Sequence, residues 1–457
     1  MKIILLSGGS GQRLWPLSNN SRSKQFLKVL NNGKENESMV QRVWTQLKKV
    51  NLSCETFIST SSSQIEMIKS QVVDDVKLIV EPFRMDTFPA IALACSYLNS
   101  VEEVNPNEVV TVLPVDPFVE DAFFEKIQEL EKVLSERNVD LALIGVKPTY
   151  SSSKYGYIIP DSDSQINGAS KVEYFVEKPN ENLAESLISK GALWNCGVFS
   201  FKLKYMLDLM AKQGIPEDYY ILSNEYSTLP KNSFDYEVVE KEKNISVVPY
   251  DGYWKDLGTW NTLTDEMSEN KIGLGTIYKD CQSTHLINEL SIPINVIGLD
   301  NVVVAASPDG ILVSDKSASP KIKDIIKNHT RNPMFEEKRW GWAKVLDLTN
   351  SDDGNDFITK KVKIYKDENI SYHYHNNRRE SWTIIRGNGE VMINGILKSV
   401  STGDSVVIEP GDVHSIKALS DLQIIEFQSG VVIKDDIFRI EYSWDSILDL
   451  SSEVIKR

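Results

Sequence analysis

Lys2-Ile3-Ile4-Leu5-Leu6-Ser7-Gly8-Gly9-Ser10-Gly11-Gln12-Arg13-Leu14 stands at the head of the chain, and its reading decides the fold. A short apolar run passes directly into a glycine-rich loop, as where a buried strand of an α/β sheet meets a ligand. Lacking Cβ atoms, such a backbone can close on a phosphate, and consecutive N–H groups hold its charge. Two familiar phosphate loops are excluded by the letters. A P-loop ends in Gly-Lys-Ser/Thr, which is missing here, and a dinucleotide fingerprint needs a third glycine where Leu14 stands.

Outward from this loop, apolar runs at 3–6, 56–59, 77–80, 109–113 and 141–145 read as buried strands. Amphipathic stretches at 38–50, 63–72, 89–101 and 122–137 read as the helices between them. Alternation of this kind predicts a mostly parallel sheet covered on both faces, with ligands beyond the carboxyl ends of its strands. After Trp260 the pattern changes to short β-rich segments (295–298, 301–305, 310–314), a helical piece at 319–327 and a linker at 328–333. From Lys338 the chain is β-rich again, at 357–365, 381–386, 389–393, 405–408 and 422–428, as in a sandwich or barrel.

At 457 residues the chain is long enough for roughly three domains. Its 50 Lys and Arg against 65 Asp and Glu give a net charge of −15, which excludes wrapping of nucleic acid. An anionic ligand must be held by a local device. Cys54, Cys95, Cys196 and Cys281 are scattered without a CxxC, so neither a disulfide framework nor a thiolate zinc site is signalled. The apolar start at 1–6 is too short for a signal or a membrane span, and the expectation is a cytoplasmic protein without membrane or nucleic-acid partners. Histidine is distributed unevenly: His285, His329, His373, His375 and His414 are all there are, so imidazole chemistry belongs near the C-terminus.

Ser7 to Leu14, continuing through Trp15-Pro16-Leu17-Ser18 to Lys24-Gln25-Phe26, closely resembles the signature of the bacterial mannose-1-phosphate guanylyltransferases, a branch of the sugar-1-phosphate nucleotidyltransferases. Ser7, Gln12 and Ser23 depart from it without removing a charge. The resemblance implies a nucleotide site at Leu6, Gly8, Gly9, Ser10, Gly11, Arg13, Lys24, Glu81 and Thr87, with Arg13 and Lys24 on the triphosphate. Glu81 opens a block, 81–92, similar to the family's EPxxRNTAPAIA; a carboxylate there can accept both N1–H and N2–H₂ of guanine. Asp86 replaces the usual Asn, which leaves strict guanine preference open.

Leu113-Pro114-Val115-Asp116 and Tyr253 to Trp260 resemble the family's LPADH and WxDVGSW, and imply that Asp116 and Asp256 hold Mg²⁺. Two hard carboxylates suit a hard cation bridged to phosphate oxygens. Blocks at 155–158, 175–179, 193–197 and 233–238 likewise imply a sugar-phosphate site of Gly156, Glu177, Lys178, Asn195 and Asp235. Lys154 replaces a usual Gly beside the first of these, leaving the mannose preference open as well.

In the last quarter His373-Tyr374-His375 precedes Glu380 with HxHxxxxE spacing, and His414 supplies a fourth candidate. Residues two apart on a strand share a face, so an N₃O set suited to Zn, Fe, Mn or Ni is available. The arrangement resembles the two cupin motifs, and the segment resembles the C-terminal part of bifunctional enzymes carrying a type II mannose-6-phosphate isomerase. Lys338-Arg339-Trp340-Gly341 lacks the proline usual there, and two neighbouring histidines are absent, so isomerase activity stays open.

The sequence therefore predicts a doubly wound α/β nucleotidyltransferase domain with a mixed or parallel sheet (1–270), a short β-helical extension with linker (271–333) and a cupin barrel (334–457). GTP and mannose 1-phosphate are the implied substrates, and the resemblance suggests a homodimer. Another NTP and sugar-phosphate pair, and a non-catalytic sugar-nucleotide binder, stay open.

Overall fold

The computed structural model describes residues 1–9, 11–19, 21–72, 76–326, 333–349, 356–430 and 436–454. Ser10, His329 and most of the expected linker therefore lie outside the described residues. The chain divides into two compact units, one of Met1–Leu14, Ser23–Asn270 and Lys316–Ile322, the other of Trp15–Arg22, Lys271–Asp315 and Lys323–Arg457.

In the first unit, Lys2–Leu6 lies between Thr56–Ser61 and Val109–Pro114, parallel to both. These three strands belong to a nine-stranded sheet with Lys77–Glu81 at one edge, in which Tyr157–Pro160 pairs with both Ser170–Val176 and Leu193–Lys202. Each central strand is a continuous apolar run because both faces are covered, as Thr56–Ser61 and Leu141–Val146 show by being buried throughout. The helices expected between them form at Met39–Lys49, Ile65–Gln71, Thr87–Ser100 and Ala122–Arg137. The first begins in a capping box, Ser38 with Gln41, and the last ends on Asn138 in the left-handed region at φ 48°.

The sheet is more mixed than the alternation of strands and helices implies. Leu193–Lys202 inserts antiparallel between Val109–Pro114 and Leu141–Val146, and Ser170–Val176 runs antiparallel to both its neighbours. Two apolar layers sandwich the sheet, one around Leu5, Ile58, Phe123 and Val146, the other around Ile4, Phe88, Leu143 and Phe201. Beyond the sheet a two-stranded ribbon pairs Pro117–Val119 with Trp254–Asp256.

The second unit starts with stacked short strands. Lys271–Gly273, His285–Asn288 and Val302–Ser307 run parallel, and Gly275–Ile277 pairs parallel with Ile294–Val296, the coil-on-coil arrangement expected of a β-helical extension. Trp15–Arg22, the second half of the glycine-loop signature, joins these strands. Ser307 Oγ donates to Pro16 O at 2.7 Å, Arg22 Nη2 donates to Leu17 O at 2.7 Å and to Glu289 at 2.7 Å, and Asn19 Nδ2 donates to Asp309 at 2.7 Å. The barrel that follows packs a six-stranded antiparallel sheet, Phe335–Lys338 to Ser405–Ile408, against a five-stranded one that includes Tyr372–Tyr374 and His414–Ala418. Trp382, Ile384, Val391, Ile416, Leu422 and Ile424 fill the space between them. Among the described residues no helix is long and apolar enough to cross a membrane.

Candidate functional site

Leu6 ends the first strand, and Gly8 and Gly9 lead from it into the loop. Two buried glutamines shape that loop from beneath. Gln25 Nε2 donates to Ser7 O at 2.8 Å and to Ser7 Oγ at 3.2 Å. The Gln64 amide, with its oxygen turned to Arg84 Nη2 (2.9 Å) and Ser23 Oγ (2.6 Å), donates to Thr60 Oγ1 at 3.0 Å. Gly11 has φ +61°, and a Cβ there would lie 2.4 Å from the Lys24 backbone nitrogen. Only glycine permits both the turn and this approach. Arg13 follows on a 3₁₀ turn with its side chain exposed.

Lys24 begins the next 3₁₀ turn and reaches two carboxylates, Asp116 Oδ2 at 2.5 Å and Asp256 Oδ1 at 3.5 Å. The ribbon explains why residues 140 apart meet: its register sets Asp256 opposite Pro117, next to Asp116. Burial opposes the Lys24 charge, yet Asp116 and Asp256 outweigh it and hold the ammonium far above its ordinary range. Two hard carboxylates already gathered round one cation suit a small divalent ion.

Glu81 ends its strand buried at 4% exposure, its Oε2 accepting from Tyr226 O–H at 2.9 Å. A Cβ on Gly8 would stand 2.9 Å from Glu81 Oε1, so that carboxylate lies against the glycine loop. Burial pushes its carboxyl up to about 7, against the pull of Tyr226 and Arg84. Asp86 is the N-cap of helix Thr87–Ser100, accepting from Thr87 N–H at 2.8 Å, and Thr87 Oγ1 accepts from Phe234 N–H at 2.8 Å. Thr87 thus ties this side of the site to the segment bearing Asp235.

On the sugar side, Asn195 Nδ2 donates to Asp235 Oδ1 at 2.6 Å, and Asn195 N–H donates to Gly156 O at 2.8 Å. Lys178 Nζ lies 2.5 Å from Glu177 Oε1 and 5.5 Å from the Tyr236 ring centre. Burial and the nearby Asp235 push Glu177 up to about 7, while Lys178 pulls it down. Burial also raises Asp235. Tyr155 stands between Trp194 (4.9 Å) and Trp254 (5.5 Å), an aromatic link from the strand of Asn195 to that of Asp256.

The second constellation lies in the barrel. His373 and His414 sit opposite each other on paired strands, and His375 follows the end of Tyr372–Tyr374. One ligand atom from each imidazole falls within 4.8 Å of the others, and all three side chains are buried. Glu380 completes the set, with Oε1 3.2 Å from His375 Nε2 and Oε2 3.7 Å from His414 Nε2. Backbone carbonyls hold the far ring atoms: Ser371 O is 2.7 Å from His373 Nδ1, and Asp412 O is 2.9 Å from His414 Nδ1. That contact fixes the tautomer and turns an Nε2 lone pair inward. His414 Nε2 is buried without a hydrogen-bond partner among the described residues. Burial also lowers the His373 and His414 pKa values, keeping both rings neutral. Neutral imidazoles, an orphaned lone pair and a carboxylate fit a borderline divalent metal ion.

Sequence reasoning missed Arg378, whose Nη2 lies 3.2 Å from His375 Nε2 and whose Nε lies 3.5 Å from Glu380 Oε1. Its place two residues before Glu380 on an alternating strand was the available signal. Gln25, Gln64 and Tyr226 were missed for a different reason, since each acts through a contact distant in sequence or through the backbone.

A sheet ending in a glycine loop, with a lysine and two aspartates beyond its strands, defines a phosphate-handling α/β enzyme class. Residues 2–271 match the family model described as nucleotidyl transferase, and the chain belongs to that family. Residues 327–442 match the model described as mannose-6-phosphate isomerase C-terminal. Alginate biosynthesis protein AlgA of Pseudomonas putida is 29% identical, spanning 96% of this chain and 95% of its own length. Mannose-1-phosphate guanylyltransferase RfbM of Salmonella typhimurium is 28% identical over 96% of each chain. A crystal structure described as mannose-1-phosphate geranyltransferase from Thermus thermophilus superposes with a TM-score of 0.62 at 27% identity, covering 72% of this chain and 99% of that one. Nucleotidyltransferase and isomerase-type domains typically use divalent metals, and the three imidazoles form a group able to hold one.

Proposed function

We propose that the chain joins GTP and mannose 1-phosphate into GDP-mannose and pyrophosphate. The observation that carries this reading is Lys24 held between Asp116 and Asp256 below a glycine loop that also bears Arg13. The sugar-phosphate oxygen attacks the α-phosphorus and pyrophosphate leaves, so no residue need form a covalent intermediate. Asp116 and Asp256 would hold Mg²⁺, which supplies charge neutralisation on the phosphate oxygens. The N–H groups of Gly8, Gly9 and Gly11 cradle the phosphates, while Lys24 and Arg13 offset the charge gathering on the leaving group. Ionised Glu81 accepts the two guanine donors. Glu177 and Asp235 accept sugar hydroxyls, Asn195 orients them, Gly156 leaves room for the Glu177 carboxylate, and Lys178 pairs the sugar phosphate. Relatives named for this reaction over nearly their whole length support the assignment.

The test is pyrophosphate release across panels of nucleoside triphosphates and sugar 1-phosphates. Turnover only with a different pair overturns the substrate assignment. Binding without turnover replaces the enzyme reading with that of a regulatory sugar-nucleotide binder.

We propose mannose-6-phosphate isomerisation as a second activity, favoured by the intact set of His373, His375, His414 and Glu380 with its orphaned Nε2. Those four residues would hold the transition metal, which polarises a sugar carbonyl. Zn, Fe, Mn and Ni are told apart by metal analysis of the purified protein. Three domains (1–270, 271–333, 334–457), a homodimer and a cytoplasmic location complete the proposal.

A further inference from the structure

Inside the barrel, next to the imidazoles, lies a second charged cluster, built on Lys360 and Glu426. Strand Leu422–Gly430 points Leu422, Ile424, Glu426 and Gln428 to one face by simple alternation. Leu422 and Ile424 are core, so Glu426 and Gln428 face the same interior. Register sets Glu426 opposite Lys360 on one neighbouring strand and opposite Trp382 on the other. Lys360 Nζ lies 3.6 Å from Glu426 Oε1. One amide then joins the two carboxylates of the interior: Gln428 Nε2 donates to Glu426 Oε1 and, at 2.9 Å, to Glu380 Oε1.

An ion pair in such a place is poor structural material. Replacing buried pairs by apolar residues of similar volume is often neutral or stabilising, and Val362, Ile424 and Trp382 would receive them. The pair is also not sealed. The Lys360 and Glu426 side chains keep 24% and 15% exposure, against 3% for Glu380, so they face an accessible part of the interior. A carboxylate reachable from outside and tied through one amide to the metal-type cluster is placed to touch what that cluster binds.

We propose that Glu426 is the carboxylate that moves the C2 proton in sugar-phosphate isomerisation, with Lys360 and Gln428 as its positioning residues. The proposal rests on the isomerase reading of the barrel. Glu426 takes the proton from C2 of the open-chain aldose, the C2–H electrons form the C1–C2 double bond, and O1 takes up a proton to give an enediol. Glu426 then returns its proton to C1 while O2 loses its own and becomes the carbonyl. C1 is reduced and C2 oxidised within one molecule, so no outside oxidant or reductant enters. Lys360 balances the carboxylate charge, and Gln428 fixes its direction relative to Glu380.

The test uses the full chain loaded in turn with Zn²⁺, Mn²⁺, Fe²⁺ and Ni²⁺. Mannose 6-phosphate in D₂O is followed by NMR for deuterium at C1 and C2 and for fructose 6-phosphate. The parent protein exchanges with its best metal. Glu426→Gln loses about 10² to 10⁴ of that rate, as for removal of a general base, while keeping its metal content and melting temperature. Lys360→Met lowers kcat about tenfold with KM little changed, a split that simple loosening of the barrel would not give. Glu426→Asp guards against a folding failure of the amide variant, and should exchange slowly with full metal content. Parent-like exchange in Glu426→Gln overturns the proposal and leaves the isomerase reading standing. Loss of metal from both Glu426 variants also overturns it, assigning the pair a structural role. A parent protein inert with every metal overturns the isomerase reading and the proposal together.

Discussion

The two constellations solve the problem of holding a cation in opposite ways. In the first unit, Asp256 on the ribbon and Asp116 just before it are carboxylates 37% and 27% exposed, and a lysine already stands between them. In the barrel the buried rings of His373 and His414 are kept neutral, their tautomers set by backbone carbonyls, and His414 Nε2 has no hydrogen-bond partner among the described residues. The first is an electrostatic clamp of opposite charges, brought together by the register of the ribbon. The second is a preformed pocket of lone pairs, chosen by geometry and ligand softness. As proposed, one chain thus keeps a hard-cation site and a borderline-metal site that do not compete for one ion.

That contrast breaks most visibly at Asp256 and His375. Asp256→Ala should lower pyrophosphate release about 10³-fold, the scale lost with one preorganised electrostatic partner. It should leave the transition-metal content of the barrel as in the parent. His375→Ala should instead strip that metal, read by mass spectrometry of the dialysed protein. Loss of barrel metal in Asp256→Ala would show that the two sites are not separate.

Next in size is Gly11→Ala, which tests whether the clamp depends on backbone shape. The new Cβ would sit 2.4 Å from the Lys24 nitrogen at φ +61°. Strain of about 1–3 kcal/mol is expected there. Because Lys24 must move, kcat should fall about tenfold or more, with the melting temperature lowered only by a few degrees. An unchanged kcat would mean that the ammonium finds its place without the loop.

How much of this was legible in the letters depends on the range of the contact. The strand of Leu6 and the helix from 122 to 137 are local patterns that the structure reproduces, while His373 and His375 come together with His375 just past the end of the strand. Strand direction is different. Nothing in the composition of Leu193–Lys202 marks it as antiparallel to Val109–Pro114, since a strand buried on both faces reads alike either way. Trp15–Arg22 continues the glycine-loop signature in sequence yet packs with Lys271–Asp315, because its partners Glu289, Ser307 and Asp309 arrive from far along the chain. Glu426 was half legible. The alternation from Leu422 to Gln428 places it inward, but only the register with Lys360 and the amide bridge to Glu380 give that position a meaning.

Acidity sharpens the same comparison from the nucleotide end. Burial raises Glu81 from 4.5 to about 7, whereas an unfolded chain would release that proton near 4.5. Between those values the folded protein binds more protons than the unfolded one, so its stability falls as pH rises through the window. Nucleotide binding has the opposite sign. A protonated Glu81 offers an O–H where guanine also presents donors, so affinity for GTP should drop about tenfold for each unit below pH 7. Calorimetry at pH 5.5, 6.5 and 7.5 reads this directly, with Glu81→Gln weak and nearly flat. A flat profile in the parent would remove Glu81 from base recognition.

The smallest effect is the most discriminating, because it changes the charge of Glu81 without touching its side chain. Tyr226 O–H donates to Glu81 Oε2 at 2.9 Å and holds the carboxyl below where burial alone would put it. Tyr226→Phe keeps the ring in its buried place and deletes only that donor, at a cost of about 1 kcal/mol to the ionised form. One pKa unit is about 1.4 kcal/mol, so the midpoint of GTP affinity should move up by less than one unit. Above that midpoint affinity should return to the parent value. A loss of affinity that persists at high pH would mean that the hydroxyl shapes the pocket instead of setting the charge of Glu81. In the barrel the backbone takes this part instead, since Ser371 O and Asp412 O hold the far nitrogens of His373 and His414.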